Sequence, residues 1–413
     1  MTAAAGPAAA GGDERRRFVL ELGRALHALG SPAYRVEDAM VACARALGLE
    51  GAFFATPTAI FAQLGPPGTA PFTTLQRVPP GEHDLGKLAR LYAERDAVVG
   101  GRCSAADGLR RLDVVMQAPP AWPPLAEWPC WGLIAAAAAV FLGGGLAEVA
   151  VASGAGLVVG ALAQLAARAP RFGRVFEPTA GAVAAFVAHG AAHAVALDPG
   201  VAVLASIIAL LPGLVFTTAL TELSMRHLAA GSARLLGALA TMLTMAVGVG
   251  LGTRLGVLAF GVVATPVPEP LAAGWQLPAA AAAAVAFAVL LRASRAQLAT
   301  VGVAVAVAYA GGTLGGLLFE RELAAFVGAF GVACAANLYA RWFRQPGAVV
   351  RTPGLLLLVP GSLGFRGLST ALQRDFTQGA QFGLQMLLVG GALVAGLLLA
   401  SALLPPPLDV EST

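Results

Sequence analysis

Residues Val201–Glu222 read VAVLASIIALLPGLVFTTALTE, an apolar run with Pro212-Gly213 at its centre and an acid at its end. The hydrocarbon core of a bilayer takes about 20 helical residues, so this run has the length of one membrane span. Proline lacks an N–H and clashes with the carbonyl four residues back, so Pro212 frees the carbonyl of Ile208 in mid-span. A second stretch, Leu358-Val359-Pro360-Gly361-Ser362, does the same to Leu356. Bare backbone polar groups are costly in hydrocarbon and persist only where protein or a water-filled cavity satisfies them. Two such breaks predict either a polar site inside the membrane or a pair of packing kinks.

The rest of the chain supports a membrane setting. Of its 413 residues 57% are hydrophobic and 12% charged, and the mean hydropathy is +0.75. Soluble domains carry roughly a quarter charged residues. The first 127 residues hold 13 of the 27 basic and 13 of the 23 acidic residues, so the front is normally charged and the remainder is charge-starved. The net charge of +4 comes from short arginine clusters between apolar runs, which excludes a nucleic-acid reading and suits the cytoplasmic side of a membrane protein. Lys87 is the only lysine, and the alanine and arginine bias points to a GC-rich bacterial genome. Cys43, Cys103, Cys130 and Cys334 have no metal or disulfide spacing. No secretory leader is visible, so the later helices must carry the targeting.

Residues 1–12 are low-complexity and expected to be disordered. Residues 13–117 read as a small α+β domain, with helices near 18–29 and 33–48, strands at 52–56, 58–64 and 72–78, and helices near 84–98 and 104–115. Residues 118–129 form a hinge rich in proline and tryptophan. Ten spans are expected after it, at 130–148, 150–167, 177–196, 201–222, 234–254, 276–292, 298–318, 323–340, 353–370 and 380–404. They fall into a first five-helix repeat (130–254), a periplasmic connection (255–275) and a second five-helix repeat (276–404), followed by a tail (405–413). The Pro-Gly break is in the fourth span of each set, and an odd number of spans makes the repeats inverted. Arginines gather in the loops after spans two, four, six and eight, which places both termini and the front domain in the cytoplasm of a bacterial inner-membrane protein. Interrupted helices at matching positions of inverted repeats mark the site of a secondary transporter.

The stretch Leu210–Glu222, followed by His227-Leu228 and Gly231-Ser232-Ala233-Arg234-Leu235, resembles the signature of the threonine/serine exporter family. Gly30–Glu37 and Phe54–Thr58 resemble that family's N-terminal region, and the second half resembles its shorter C-terminal module, here fused to the first. The resemblance covers residues 18–404. It implies proton-driven efflux of small hydroxy-amino acids, with dicarboxylate export in some relatives.

Candidate substrate-binding residues are therefore Pro212, Gly213, Thr217, Thr218, Pro360, Gly361, Ser362, Asn337 and Arg366. Ionisable residues within spans are functional candidates by default. Glu222 reads as a proton carrier, as a partner of the substrate's amino group, or as an interfacial cap paired with Arg226 four residues on. His189 and His193 share a helix face and are either a titrating pair or satisfied interhelical histidines. Asn337 hydrogen-bonds substrate or glues helices together; Arg366 attracts a carboxylate or snorkels outward. Glu148 reads as solvated. No cofactor, metal site or nucleotide loop is expected. The partners are a small amino acid, protons and lipid, with self-assembly left open. Two rivals remain: a dicarboxylate exporter, and a membrane-anchored sensor or hydrolase whose helices are scaffold. No nucleophile, base and orienter can be named for the hydrolase.

Overall fold

The computed structural model describes residues 7–79, 81–262, 266, 268–372 and 374–405. Helix α1 (Pro7–Ala28) begins inside the segment expected to be disordered, whose residues 1–6 lie outside the described residues. The chain turns at Gly30 (φ +77°), a left-handed conformation that suits glycine, and enters α2 (Ala33–Ala46). Strands β1 (Glu50–Thr56), β2 (Ala59–Gly65) and β3 (Phe72–Arg77) form an antiparallel meander in the order β1-β2-β3. Strand alternation turns Ile60, Ala62 and Leu64 inward onto Phe18, Leu22 and Leu26 of α1 and Val36 and Met40 of α2. Helices α3 (Leu85–Val99) and α4 (Ala105–Gln117) close this core. Each starts at a capping side chain, Asp84 accepting from the Lys87 N–H (2.7 Å) and Ser104 from that of Asp107 (3.1 Å).

Beyond the proline-rich hinge the chain is helical. The first set comprises α5 (Pro124–Phe141), α6 (Leu146–Arg168), the short α7 (Pro170–Gly173), α8 (Phe176–Ala194), α9 (Pro199–Ser206), α10 (Gly213–Ser224) and α11 (Leu228–Phe260). The second comprises α12 (Gln276–Leu290), α13 (Leu298–Leu318), α14 (Arg321–Phe343), α15 (Ala348–Leu358), α16 (Gly361–Leu372) and α17 (Phe376–Leu403). Among the described residues eight segments are long and apolar enough to cross a membrane, or nine when α9 and α10, bent by 48°, count as one span. The protein is thus a multi-pass membrane protein. The difference from ten is α8, long enough but carrying Glu177, His189 and His193 in an otherwise apolar helix. Helix α11 runs on to Phe260, so the expected 255–275 connection starts as helix, and its residues 263–265 and 267 lie outside the described residues. Most of the expected tail does too.

Helix packing follows side-chain size. On α11, Leu236, Leu243, Val247, Leu251 and Leu258 are exposed on the outside, where lipid tails solvate them, while Ala238, Met242 and Met245 face inward. A Cβ at Gly248 or Gly252 would collide with the carbonyls of Pro178 and Ala182, so glycine lets α8 and α11 lie backbone to backbone.

The front domain is docked on one end of the bundle. The N–H groups of Leu85 and Gly86 donate to the carbonyls of Leu291 and Arg292 (2.9 and 3.2 Å). The Trp122 indole N–H donates to the Ala293 carbonyl (2.8 Å). Arg292 reaches Glu82 (2.9 Å) and Glu127 (3.4 Å). On the other side Ala230 of α11 belongs to the domain's own hydrophobic core.

Inside that core His27 donates from Nε2 to the Thr56 carbonyl (2.7 Å), and its Nδ1 is buried without a hydrogen-bond partner. Burial lowers the pKa of His27, and of His83, from 6.5. A depressed histidine contributes stability that is present above the unfolded value and lost as pH falls through the folded one. Burial raises the carboxyls of Glu37, Asp38 and Asp84, which act in the opposite sense at lower pH. The thermal unfolding midpoint should therefore fall from about pH 7.5 to about 5.5. The slope should be shallower in His27→Gln, which keeps a donor for Thr56 and cannot titrate. Equal slopes would remove His27 from the account.

Candidate functional site

Helix α9 starts at the Asp198 cap, where Oδ1 accepts from the Gly200 N–H (2.7 Å), with Pro199 in the first turn. It ends at Ser206, passes through a 3-10 turn at Ile208–Leu210, and restarts as α10 after Pro212. The Ile208 carbonyl, expected to be free, accepts from the Leu211 N–H (3.3 Å) because the chain tightens before the proline. In the second set α15 ends at Leu358 and α16 starts at Gly361. The two breaks touch. A Cβ at Gly213 would lie 2.8 Å from Val359 Cγ2 and 3.2 Å from the Gly361 nitrogen, and one at Gly361 would lie 3.3 Å from the Gly213 Cα. A larger residue at either position would crowd this contact, and its neighbours would have to give by a few tenths of an ångström.

On α10 the Thr217 hydroxyl donates to the Gly213 carbonyl (3.1 Å) and that of Thr221 to the Thr217 carbonyl (2.8 Å). Both threonines border a cavity of about 70 Å3, together with Leu214 and Thr218. At about 30 Å3 per water that is room for about two waters or a small solute group. Its second membrane wall is α15, through Arg351, Thr352 and Leu355. Its lid belongs to the front domain: the Gly30-Ser31-Pro32 turn, Arg35 and His83.

Glu222 lies in the C-terminal turn of α10 and is fully buried. Its Oε1 accepts from the backbone N–H of Ala33, the first residue of α2 (2.9 Å), and from Arg234 Nε (3.1 Å). The expected pairing with Arg226 gives way to Arg234. Arg226 occupies a left-handed turn (φ +66°) that reverses the chain, which brings Arg234 of α11 back beside the end of α10. Nearby, Glu37 accepts from the Ala55 N–H (2.7 Å) and lies 3.6 Å from His227 Nδ1.

The other candidates scatter. Ser362 begins α16, and Arg366 lies half-buried further along it. Asn337 is buried, donating to the Leu404 carbonyl (2.7 Å) and accepting from Arg351 Nη2 (3.3 Å). His189 packs on Gly256 and His193 against Phe260, both at the α8–α11 seam. Glu148 is buried, not solvated: it accepts from the Gly145 and Asp198 N–H groups (2.9 and 2.8 Å) and ties α6 to the start of α9. Sequence reading treated Arg351 as a loop charge and missed it as a cavity residue. It also missed Arg35 and His83, although Arg35 falls within the Gly30–Glu37 motif.

Fold and site together define a polytopic helical membrane protein with paired broken helices and a docked domain over a small cavity of mixed apolar and polar lining. Two family models match it: one described as "Putative threonine/serine exporter" over residues 17–256 and one described as "Threonine/Serine exporter, ThrE" over residues 276–403. The chain belongs to the threonine/serine exporter family. It is similar to pheromone-regulated membrane protein 10 of Candida albicans, 28% identical over 385 residues covering 87% of this chain and 34% of that protein. The Zygosaccharomyces rouxii protein of the same name is 26% identical over 437 residues, covering 97% of this chain and 44% of that protein. That of Saccharomyces cerevisiae is 30% identical over 250 residues, covering 59% and 32%. The chain thus spans less than half the length of these curated relatives. They are yeast proteins and lend no support to a bacterial inner membrane. No solved structure matches.

Replacing Glu222 with alanine takes the partner from the partly buried Arg234 and from the Ala33 N–H. Removing one partner of a buried pair costs about 3–5 kcal/mol. In Glu222→Ala, amide hydrogen exchange across Gly30–Glu37 should accelerate about a hundredfold or more, while the core of α1 stays protected. Unchanged exchange would show that the domain is held by its other contacts alone.

Proposed function

We propose that the chain is a secondary exporter moving small amino acids of the threonine/serine type across a membrane in exchange for protons. The observation that carries this reading is the meeting of the two Pro-Gly breaks, Gly213 against Gly361, beside the cavity on α10. In this reading ten spans, α8 included, form two inverted five-helix repeats, each with a broken fourth member followed by a long fifth. Alternating access is a rocking of one set against the other about the touching glycines. The unwound backbone at Pro212, Gly213, Pro360 and Gly361, with the hydroxyls of Thr217, Thr218 and Ser362, supplies the polar path. Asn337 acts one step removed, by holding Arg351. Neither Arg366 nor the His189/His193 pair lines the cavity on α10.

Glu222 is the coupling group. A proton on its carboxylate cancels the charge that holds Arg234 and weakens the bond to the Ala33 N–H, which frees the lid over the cavity. The charged neighbours that set its response are Arg234 on α11, Glu37 on α2, His227 in the turn and His27 on α1. Arg234, Arg292 and Arg351 lie beside the docked domain, and in this reading the positive-inside rule puts that side in the cytoplasm.

The test uses full-length protein in proteoliposomes loaded with radiolabelled threonine or serine, with a pH gradient imposed. Release should follow the gradient and collapse with an ionophore. Glu222→Gln should lose at least about tenfold of the gradient-driven rate, which is about 1.4 kcal/mol of coupling, while still binding threonine. Release that ignores the gradient would sink the antiport reading, and full coupling in Glu222→Gln would remove Glu222 from it.

A further inference from the structure

The cavity under the front domain carries a charge pattern that neither half of the protein shows alone. Its walls present two guanidinium groups, Arg35 from the domain and Arg351 from α15, and among the described residues lining it there is no aspartate or glutamate. Arg35 lies against the Tyr34 hydroxyl (3.4 Å), with Asp38 as a nearby counter-charge. Arg351 differs. Its hydrogen-bond partner is the neutral amide of Asn337 (3.3 Å), and among the described residues no carboxylate forms an ion pair with it. Burial holds the third basic group, His83, toward its neutral form, which leaves it a hydrogen-bonding wall and not a third cation.

A guanidinium turned toward a small, partly desolvated space calls for a compensating anion. Its planar fork of donors matches a carboxylate better than any other common solute group. The cavity's size restricts that anion to a small one. The remaining polar wall is hydroxylic, from Thr218, Thr352 and Ser31, and suits uncharged hydrogen-bonding groups on the same solute.

We infer that this cavity is a carboxylate-binding site shared between the front domain and the membrane helices, with Arg351 as the anchor of the ligand's carboxylate and Arg35 closing over it from the lid. The inference rests on the exporter reading for the choice of amino acid as ligand, and on the cavity alone for the carboxylate. Asn337 is then a positioning residue: buried and tied to the Leu404 carbonyl, it fixes one edge of the guanidinium and leaves the other edge for the ligand. A bound carboxylate would bridge the two bodies, so the lid closes on a loaded site and has less to hold it over an empty one.

The experiment measures binding to the full chain in lipid nanodiscs by calorimetry. The probes are L-threonine, L-serine, succinate and L-threoninol, the amino alcohol that differs from threonine only in lacking the carboxylate. Wild type should prefer threonine over threoninol at least about tenfold. Arg351→Gln, which can still donate to Asn337, should abolish that preference without lowering the thermal midpoint, and Arg351→Lys should restore part of it. Should Arg351→Gln not fold, wild-type protein supplies the same information. Phenylglyoxal modification of Arg351, read by peptide mass spectrometry, should be slowed by the carboxylates and not by threoninol. An unchanged preference in Arg351→Gln, or no protection by any of the carboxylates, would overturn the inference. Arg351-dependent binding of succinate without threonine would leave the carboxylate site standing and remove the amino-acid reading. Threonine transport with an Arg351-independent preference would do the reverse.

Discussion

Gly213 and Gly361 meet so closely that a Cβ on either would lie 3.2–3.3 Å from the other's backbone, and much of the architecture follows from that approach. A membrane helix can be interrupted only where other protein groups or water take over the freed backbone. Here each interruption is sheltered by the other. The first set bends by 48° and re-pairs the Ile208 carbonyl through a tightened turn. The second set brings Val359 and Gly361 against it. Long helices then flank each break, α11 beside the first and α17 beside the second. The packing is apolar and leucine-rich toward lipid and small-residue inside. Cost and function are thus concentrated at one point, where two halves of the chain meet through backbone.

A second constraint acts at the C-terminal end of α10. A fully buried carboxylate needs partners, and Glu222 finds them on two different elements, the amide opening α2 and the guanidinium of Arg234 on α11. That makes the front domain a structural complement of the membrane region: without Ala33 in place, Glu222 would lose one of its two donors. The same contact sets the Gly30-Ser31-Pro32 turn over the cavity beside α10. Docking and the shape of the cavity are therefore one event.

The sequence displayed the apolar runs, the two Pro-Gly breaks and the helices and strands of the front domain, because each is written in local periodicity or in the covalent geometry of proline. It did not display what depends on distant partners. The one neighbour that the string offers Glu222 is Arg226, because i,i+4 spacing is visible in it. The true partners lie 12 residues on, across a reversal, and 189 residues back, as a backbone amide that has no letter of its own. Glu148 looked solvated because its donors are also backbone groups, those of Gly145 and Asp198. The i,i+4 spacing of His189 and His193 gave a shared face without saying which helix that face meets. Arg351 looked like one more arginine in a loop, since only the folded domain turns its surroundings into a wall.

The front domain is attached unevenly. On the α12–α13 side three backbone-directed bonds, to Leu291, Arg292 and Ala293, are reinforced by Arg292 reaching both Glu82 and Glu127. On the α10–α11 side the polar attachment is electrostatic and runs through Glu222, Glu37 and His227. Chain connectivity adds to the first side, because the linker carrying Trp122 is itself pinned there. Were the charged side to let go, a body fastened in this way would swing like a door on its frame and not float off. The jamb is the loop at 291–293, the free edge is the Gly30–Pro32 turn, and the doorway that edge uncovers is the cavity between α10 and α15.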